Sequence, residues 1–465
     1  MSEPTDLTLD TPFGPFTLSG EQTQQFATEI KQVMNQIPYT DAADKGAQDY
    51  IETDMLETKV QEIFEKEYPA KMECFWRYLK TNFNVDAIKN YGQMDAPIAP
   101  IFHDFELHGS VYKLPLKFIA HLSHKKLGNK ITIQFIPYDG LNIDLRINFD
   151  HNCKVGKDLW QNFMEYFYTN SLLKGNKFYA DLSFITDPPN AQWDDVVLSA
   201  ENNKVLRRNV VDFFNHMDKF KSRGLKSSRG VLLAGPPGTG KTLTCNVLMN
   251  DVNVTTMVAT RDSLAEIGDI ASIYRMAQKF APTLLVFEDI DTLGGVTRLH
   301  GDHPLLGEFL NALSGTEIND GVVTLATTNH VNKLDWALID RPGRFDARID
   351  LGYPDSELRE RILEKYLDKV AHNKINLNPI VKDTEGMSGA YLEEIVRLAF
   401  TIALEDNDYD DAKSKLTQKH LTDATKKIIQ QRNKVKRDLA TMELELPEYG
   451  DDDDGIPTFE HTLYG

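Results

Sequence analysis

The stretch RGVLLAGPPGTGKT, residues 229–242, decides the fold of the sequence around it. Its first part is a short apolar run, which is typical of a buried strand. Its second part, Gly235–Thr242, matches the phosphate-loop pattern G-x-x-x-x-G-K-T. A chance glycine-rich turn is the alternative. The strand before the loop and the predicted helix after it disfavour that alternative, because this is the context in which the pattern binds phosphate.

Each residue type in the loop has a physical reason to be there. Glycines let the backbone curl so that several N–H groups face phosphate oxygens, and the helix that follows adds the positive end of its dipole. Lys241 is expected to place its charge at the β- and γ-phosphates, and Thr242 to offer its hydroxyl to Mg²⁺. The predicted nucleotide contacts in this stretch are Gly235, Pro236, Pro237, Gly238, Thr239, Gly240, Lys241, Thr242 and Leu243.

A second stretch, LLVFEDIDT (residues 284–292), is an apolar run that ends in Glu288 and Asp289. Carboxylates at the carboxyl end of a strand lie where ligands bind in open α/β sheets. We expect Glu288 to orient Mg²⁺ and Asp289 to position the attacking water. The two acids could instead merely cap the strand, but nothing would then balance their partly buried charge. The order Glu-Asp reverses the commoner Asp-Glu, so an active, a slow and an inactive ATPase all remain open at this point.

Two more stretches carry candidate site residues. TLATTNH ends a third strand at Asn329, whose amide could hold the lytic water or the γ-phosphate. ALIDRPGRFD carries Arg341 and Arg344 beside a Pro-Gly turn, which suits the presentation of guanidinium groups to phosphate. An ordinary turn asparagine and an exposed pair of ion-pairing arginines are the alternatives.

The hydrophobic pattern predicts four regions. Residues 1–190 are predicted to form an α+β domain, with helices over 17–37 and 54–68 and a hairpin around PYDG at 137–140. A linker is predicted from Thr186 to Gln192. Residues 191–353 alternate strands and helices, which indicates a parallel sheet. Residues 354–435 are a helical lid, and residues 436–465 an acidic, disordered tail with the run Asp451–Asp454.

Composition excludes several classes of protein. The 465 residues carry 51 Lys and Arg against 70 Asp and Glu, a net charge of −19, so a general nucleic-acid coat is unlikely. No apolar run approaches the ~20 residues of a membrane helix, and the polar N-terminus MSEPTDLTLDTPFG is typical of neither a signal nor a transit peptide. Three dispersed cysteines indicate a reducing compartment. A cytoplasmic protein is therefore expected.

Together the four stretches resemble the AAA family of ring-forming ATPases, from Trp193 to about Ile429. The resemblance implies a P-loop module in which a helical lid follows the α/β sheet. It also implies ATP and Mg²⁺ as ligands, ATP hydrolysis, and a homo-oligomeric ring, usually a hexamer. In this family the N-terminal domain, here residues 1–190, is expected to select the client. It assigns Glu288 and Asp289 to Walker B, Asn329 to sensor 1, and Arg341 and Arg344 to arginine fingers that reach the neighbouring copy. Beside the adenine and the lid it places Asp195, Val196, Val197, Gly389 and Ala390.

The resemblance has three finer features. The Glu-Asp order is similar to the order found in the branch of the family that includes the mitochondrial respiratory-complex III assembly factor. The members of that branch are active ATPases. Residues 259–272 lack the aromatic that the family's first pore loop normally presents, which disfavours hand-over-hand threading. The end Leu463-Tyr464-Gly465 is similar to tails by which proteasomal AAA rings dock into a peptidase. ATP-driven remodelling of a protein client is the leading hypothesis, and a nucleotide-gated scaffold and a nucleic-acid motor are the alternatives.

Overall fold

The computed structural model describes residues 7–11, 14–18, 41–92, 96–107, 109–185, 188, 190–263, 270–292, 309, 312–313, 319–330, 345–410 and 413–445. Several predicted features lie outside these ranges. They are Arg341, Arg344, most of the helix expected over residues 17–37, most of the first pore loop, and the Leu463–Gly465 end.

The N-terminal region is built on antiparallel sheets. Strands β1 (Leu7–Thr11) and β2 (Gly14–Leu18) pair with each other. The larger sheet has six strands, β3 (Leu56–Ile63), β4 (Phe83–Lys89), β5 (Ile101–Leu107), β6 (Ser110–His124), β7 (Lys130–Asp139) and β8 (Asn142–Asp150). Its order is β3-β8-β7-β6-β4, and β5 pairs with β6. The helices are α1 (Asp41–Ile51), α2 (Tyr68–Asn82) and α3 (Lys154–Asn170).

Strands β7 and β8 form the hairpin predicted around PYDG. Ile131, Ile133 and Phe135 are fully buried in the core that α2 and α3 cover. The alternation of apolar and polar residues along these strands predicts one buried face, with the opposite face in solvent, and that prediction was wrong. Thr132 and Gln134 on that face are also fully buried, because α1 packs there and the Gln134 amide donates to Asp44 Oδ1 at 3.4 Å.

The helix predicted over residues 54–68 was wrong. Residues Leu56–Ile63 form the edge strand β3, which pairs antiparallel with β8 from Leu56–Asp150 to Ile63–Ile143. The residues LETKVQEI have fair helix propensity, but propensity is a weak preference that tertiary pairing overrides. The partner strand β8 is almost a hundred residues away in sequence, so a local pattern could not reveal it.

The second sheet is parallel throughout, as predicted, and the α/β fold class is confirmed. Its strands are β9 (Lys177–Tyr179), β10 (Arg229–Ala234), β11 (Thr255–Ala259), β12 (Thr283–Phe287), β13 (Val322–Thr328) and β14 (Ala347–Asp350). They run in the order β14-β10-β13-β12-β11-β9. The helices of this part are α4 (Ala200–Leu206), α5 (Asp212–Asn215), α6 (Met217–Lys221), α7 (Lys241–Asp251) and α8 (Ile270–Lys279), and a π-helical turn, Arg207–Val211, links α4 to α5.

The edge strand β9 joins the two regions of the chain. It precedes the boundary predicted at residue 190, yet it pairs with β11 in the parallel sheet. Phe178 of β9 and Phe167 of α3 pack on Phe280, with ring centroids 5.2 and 5.9 Å away. The ammonium of Lys174 donates to the carbonyls of Phe280 and Ala281 at 2.6 and 2.7 Å. One continuous hydrophobic core therefore runs from the antiparallel sheet into the parallel one.

The lid is helical, as predicted, with its own core. It comprises α9 (Ser356–Leu367), α10 (Asn378–Asp383), α11 (Gly389–Glu405) and α12 (Gln418–Glu445). Helix α12 continues ten residues into the predicted tail, through 436–445, because KRDLATMELE is rich in good helix formers. Across the described residues, no helix is long and apolar enough to cross a bilayer.

Candidate functional site

Strand order brings the three predicted stretches together. Strand β13 lies between β10 and β12, and all three are parallel. Their carboxyl ends therefore meet at one edge of the sheet, where the phosphate loop follows β10, Glu288 and Asp289 follow β12, and Asn329 follows β13. This is the edge at which ligands bind in open α/β sheets.

The phosphate loop curls around its lysine. Lys241 is almost fully buried, and its ammonium donates to the carbonyls of Gly235 and Pro236 at 2.8 and 2.9 Å. Burial lowers the pKa of Lys241, and the negative charges of Asp289 and Asp291 partly oppose that shift. The loop thus presents a positive charge beside backbone N–H groups and the start of α7, which together suit an anionic phosphate chain.

Two loop positions require glycine because other groups approach so closely. A Cβ on Gly235 would lie 2.0 Å from the carbonyl oxygen of Leu351. A Cβ on Gly238 would lie 2.9 Å from both Ala390 Cβ and Ser388 Oγ. Gly238 has a φ of +75°, and its carbonyl accepts a hydrogen bond from Ala390 N at 3.1 Å. The lid helix α11 therefore begins in direct contact with the loop.

Asp289 is fixed by neighbours on β13. Its backbone N–H donates to Thr327 Oγ1 at 2.8 Å, and its carboxylate accepts from the Asn329 amide at 3.0 Å. Asn329 is itself held, because its backbone N–H donates to Asp291 Oδ1 at 3.1 Å. The carboxylate of Asp289 and the amide of Asn329 thus form a hydrogen-bonded pair facing the loop. Such a pair can orient a water molecule next to a bound phosphate.

Glu288 occupies a different environment from Asp289. It is half-buried, and its carboxyl pKa is raised first by burial and then by the charge of Asp289. The negative charge of Glu288 also helps to raise the pKa of the fully buried Cys245 thiol on α7, an effect that burial dominates. Glu288 does not line the cavity described next, whereas Asp289 does. Both residues lie beyond the end of β12, and Asp289 has a φ of +47°, so the backbone turns at this point and the two carboxylates lie in different environments.

A cavity of about 430 Å³ lies between the loop, Asp289, Asn329 and the lid. Predicted residues that line it are Asp195, Val196, Val197, Pro237, Gly238, Thr239, Gly240, Lys241, Thr242, Leu243, Asp289, Asn329, Gly389 and Ala390. Gly235 and Pro236 do not line the cavity, and their carbonyls accept hydrogen bonds from the Lys241 ammonium. The cavity has an apolar side at Val196, Val197 and Ile362, and a polar end at the loop, which suits a base at one end and phosphates at the other.

Four lid residues in the cavity wall were missed by the sequence reasoning: Ile362, Lys365, Tyr366 and Glu393. Lys365 donates to the Asp194 carbonyl at 2.7 Å and lies 3.5 Å from the Asp195 carboxylate. Tyr366 has its pKa raised to about 12, first by burial and then by Glu393. The stretch SELRERILEKYLDKV reads as an ordinary amphipathic helix. Only their spacing, which places residues 362, 365 and 366 on one helix face, could have indicated that these three line a common site.

Comparison with known proteins identifies a family for part of this chain. Residues 231–353 match the family described as "ATPase family associated with various cellular activities (AAA)". Similar proteins include the ATP-dependent zinc metalloprotease YME1L of Drosophila melanogaster, at 31% identity over 283 residues that cover 57% of this chain and 37% of that protein. A cell division cycle protein 48 homolog of Archaeoglobus fulgidus is 30% identical over 298 residues, covering 60% of this chain and 39% of that protein.

The ATP-dependent zinc metalloprotease FtsH of Mycoplasma genitalium is 34% identical over 223 residues, covering 45% of this chain and 31% of that protein. The aligned parts of this chain thus span less than half the length of these relatives. The likeness therefore concerns a part of each of these three proteins.

Proposed function

This chain carries an ATPase domain of the AAA family, and from that premise we propose that it hydrolyses ATP to ADP and phosphate and uses the energy to remodel a protein client. The observation that carries the proposal is the placement of Asp289 and Asn329 opposite the phosphate loop across one cavity. ATP would lie with its adenine beside Asp195–Val197 and its phosphates over Lys241. Asp289 would then accept a proton from the attacking water, and Asn329 would orient that water.

The oxygen donors at the cavity fit Mg²⁺. Thr242 offers a hydroxyl at the cavity wall, and Glu288, next in sequence to Asp289 of that wall, offers a carboxylate. Mg²⁺ prefers oxygen ligands and keeps several waters, so Glu288 can act through the ion's water shell without lining the cavity. A bound Mg²⁺ ion would neutralise part of the negative charge of the phosphates.

The reversed acid order is compatible with this role. In the proposal Asp289, the second acid, takes the position of the water-activating residue. Its backbone N–H donates to Thr327 of β13, and its shorter side chain accepts a hydrogen bond from the Asn329 amide. Fixed geometry of this kind reduces the cost of the missing methylene, because catalysis depends on position to within about an ångström.

The first test replaces Asp289 with Asn. We expect the variant to keep ATP binding, because Lys241 and the loop are untouched, and to lose turnover by about 10²-fold or more, the usual contribution of general base catalysis. Steady-state phosphate release and binding of a fluorescent ATP analogue measure the two effects. Asp320→Asn is the matched control, because that carboxylate accepts from Ser227 away from the cavity.

Ordinary turnover in the Asp289 variant would refute the assignment. If the parent chain releases phosphate no faster than the Lys241→Ala variant does, the result would instead favour a nucleotide-gated scaffold without hydrolysis.

We also propose that the chain works as a ring. The support is the resemblance, in which Arg341 and Arg344 would complete the site of the neighbouring copy. The ATPase rate per chain is then expected to rise with chain concentration, and Arg344→Ala to bind ATP while hydrolysing it poorly. A rate per chain that is constant over a wide concentration range in a monomeric protein contradicts the ring.

A further inference from the structure

A groove of about 610 Å³ lies beside the nucleotide cavity, since Leu198 and Arg361 in its wall are next in sequence to Val197 and Ile362 in the cavity wall. We call it the basic groove. It is lined by Leu198, by residues of α4 and the π-helical turn, and by Arg361 of the lid helix α9. Four cations and one acid contribute to its wall: Lys204, Arg207, Arg208, Arg361 and Asp212. This is a local surplus of positive charge on a chain whose net charge is −19.

Two of the cations have no partner among the described residues. Lys204 and Arg208 are exposed, and no hydrogen bond or ion pair joins either side chain to another residue in the described ranges. Arg207 is already engaged, since its guanidinium lies 4.0 Å from the Trp193 ring centroid, donates to Asn203 Oδ1 at 2.9 Å and lies 3.8 Å from the Asp251 carboxylate. Arg361 donates one bond, to the Leu198 carbonyl at 3.3 Å, and keeps further N–H groups for a ligand.

The π-helical turn explains why the arginines gather here. Such turns interrupt an α-helix with one wider turn and are frequent at functional sites. Here the turn begins at Arg207, between α4 and α5, so that two consecutive arginines and Lys204 all line one groove. A cluster of like charges costs energy in the absence of a counter-charge, which favours an anionic ligand.

We propose that the basic groove binds an acidic peptide segment, and that its occupant is this chain's own tail, residues 446–465. The tail holds six acidic residues, Glu448, Asp451–Asp454 and Glu460, and neither Lys nor Arg. Charge complementarity therefore favours this segment. Guanidinium groups are the natural partners of carboxylates, because they bind them with two parallel hydrogen bonds.

The tail can extend away from the lid. Helix α12 ends at Glu445, and Asp451 follows six residues later, a span of up to about 20 Å when extended. Arg432 of α12 donates to the Gly386 carbonyl and lies 5.4 Å from the Tyr391 ring centroid. This contact places the middle of α12 at the end of α11 that contacts the phosphate loop, and α12 continues for about 20 Å beyond it to Glu445. The tail binds either the groove of its own chain or that of a second copy.

Occupation of the groove would tie the lid to the large subdomain. Arg361 belongs to α9, which also carries Lys365 and Tyr366 in the wall of the nucleotide cavity, whereas Lys204 and Arg208 belong to the large subdomain. A peptide that contacts both sides would oppose lid movement. This consequence rests on the proposed function, but the binding itself does not.

The test measures binding without nucleotide, so that its result is independent of ATP hydrolysis. A fluorescent peptide of residues 446–465 is titrated with the full chain in which Asp451–Asp454 are changed to Asn, at low and high salt. We expect saturable binding that weakens as salt rises, and that weakens by about tenfold when Lys204→Glu and Arg208→Glu are added. Lys374→Glu with Lys382→Glu, two exposed lid lysines outside the groove, is the matched control.

Equal binding by the groove variant and the control variant would overturn the groove assignment, and so would the absence of binding. If charge reversal unfolds the protein, Lys204→Gln with Arg208→Gln replaces it, with the same expectation. The occupant is tested separately: the parent chain, whose tail already fills the groove, should bind the added peptide several-fold more weakly than the chain with the neutralised tail. Equal affinities would overturn the tail as occupant.

Discussion

At the scale of single residues, the site combines groups that a motif reveals with groups that only the fold reveals. Lys241, Thr242, Asp289 and Asn329 follow strands in recognisable stretches, and the parallel sheet brings them together. Lys365 gave no such signal, because a lysine on an amphipathic helix is usually a solvated residue. Its contact with Asp194 and Asp195 is set by how the lid packs across the cavity, which no local pattern encodes.

Changing Lys365 to Met tests that contact. Lys365 holds the segment beside the proposed adenine position, so its loss should raise the KM for ATP by about fivefold to tenfold and leave kcat within about twofold, the pattern of an interaction made equally in ground and transition states. Initial rates over a range of ATP concentrations measure both. Lys374→Met, on an exposed part of the lid, serves as the control. A fall in kcat with an unchanged KM would contradict this role.

At the scale of elements, the two sheets differ in how much of them the sequence could predict. Strands β10, β12 and β13 are short apolar runs in a βα alternation, and β7 and β8 alternate around a turn, so both patterns are local. Strand β3 was mistaken for a helix because its pairing with β8 is long-range. The polar face beneath α1 was also missed, because residues such as Thr132 and Gln134 look solvated until a helix covers them.

His121 on that covered face should make stability depend on pH. It is 2% exposed, and its pKa is lowered from 6.5 to about 4, mainly by burial and by nearby Lys89, with Asp86 opposing. The unfolded chain therefore takes up this proton first as the pH falls. Stability should be full above pH 6.5 and decrease until about pH 4, by on the order of 3 kcal/mol.

Urea unfolding at a series of pH values measures this loss. His121→Gln should flatten the decrease between pH 6.5 and 4, whereas His372→Gln, an exposed histidine of the lid, should not. Identical pH slopes for the parent and the His121 variant would show that another group is responsible.

At the scale of the whole molecule, the two regions share one core. Phe280 follows α8, which leads into β12, and it packs against Phe167, Tyr168 and Phe178 of the N-terminal part. The sequence predicted a linker after Thr186 because prolines cluster there. It could not predict that the chain first adds β9 to the parallel sheet, since a three-residue strand is too short to carry a periodic pattern.

Phe280→Ala should therefore weaken both regions together. Phe280 is fully buried, and truncation of such a side chain costs about 3–5 kcal/mol. We expect one cooperative thermal transition, shifted to lower temperature, with amide exchange accelerated in both sheets. Phe64→Ala removes an exposed ring and should change little. Two separate transitions, with only one of them shifted, would contradict the shared core.

The edge strand β9 also has a practical consequence for chimaeras. Anyone who fuses the ATPase domain to another N-terminal domain would naturally cut at the proline cluster near residue 188. Such a cut removes the outermost strand, leaves the hydrogen-bonding side of β11 open to pairing with other chains, and exposes the Phe280 ring against which Phe178 of β9 packs. A junction placed before Lys174 keeps this lysine, β9 and the closed edge in the ATPase part.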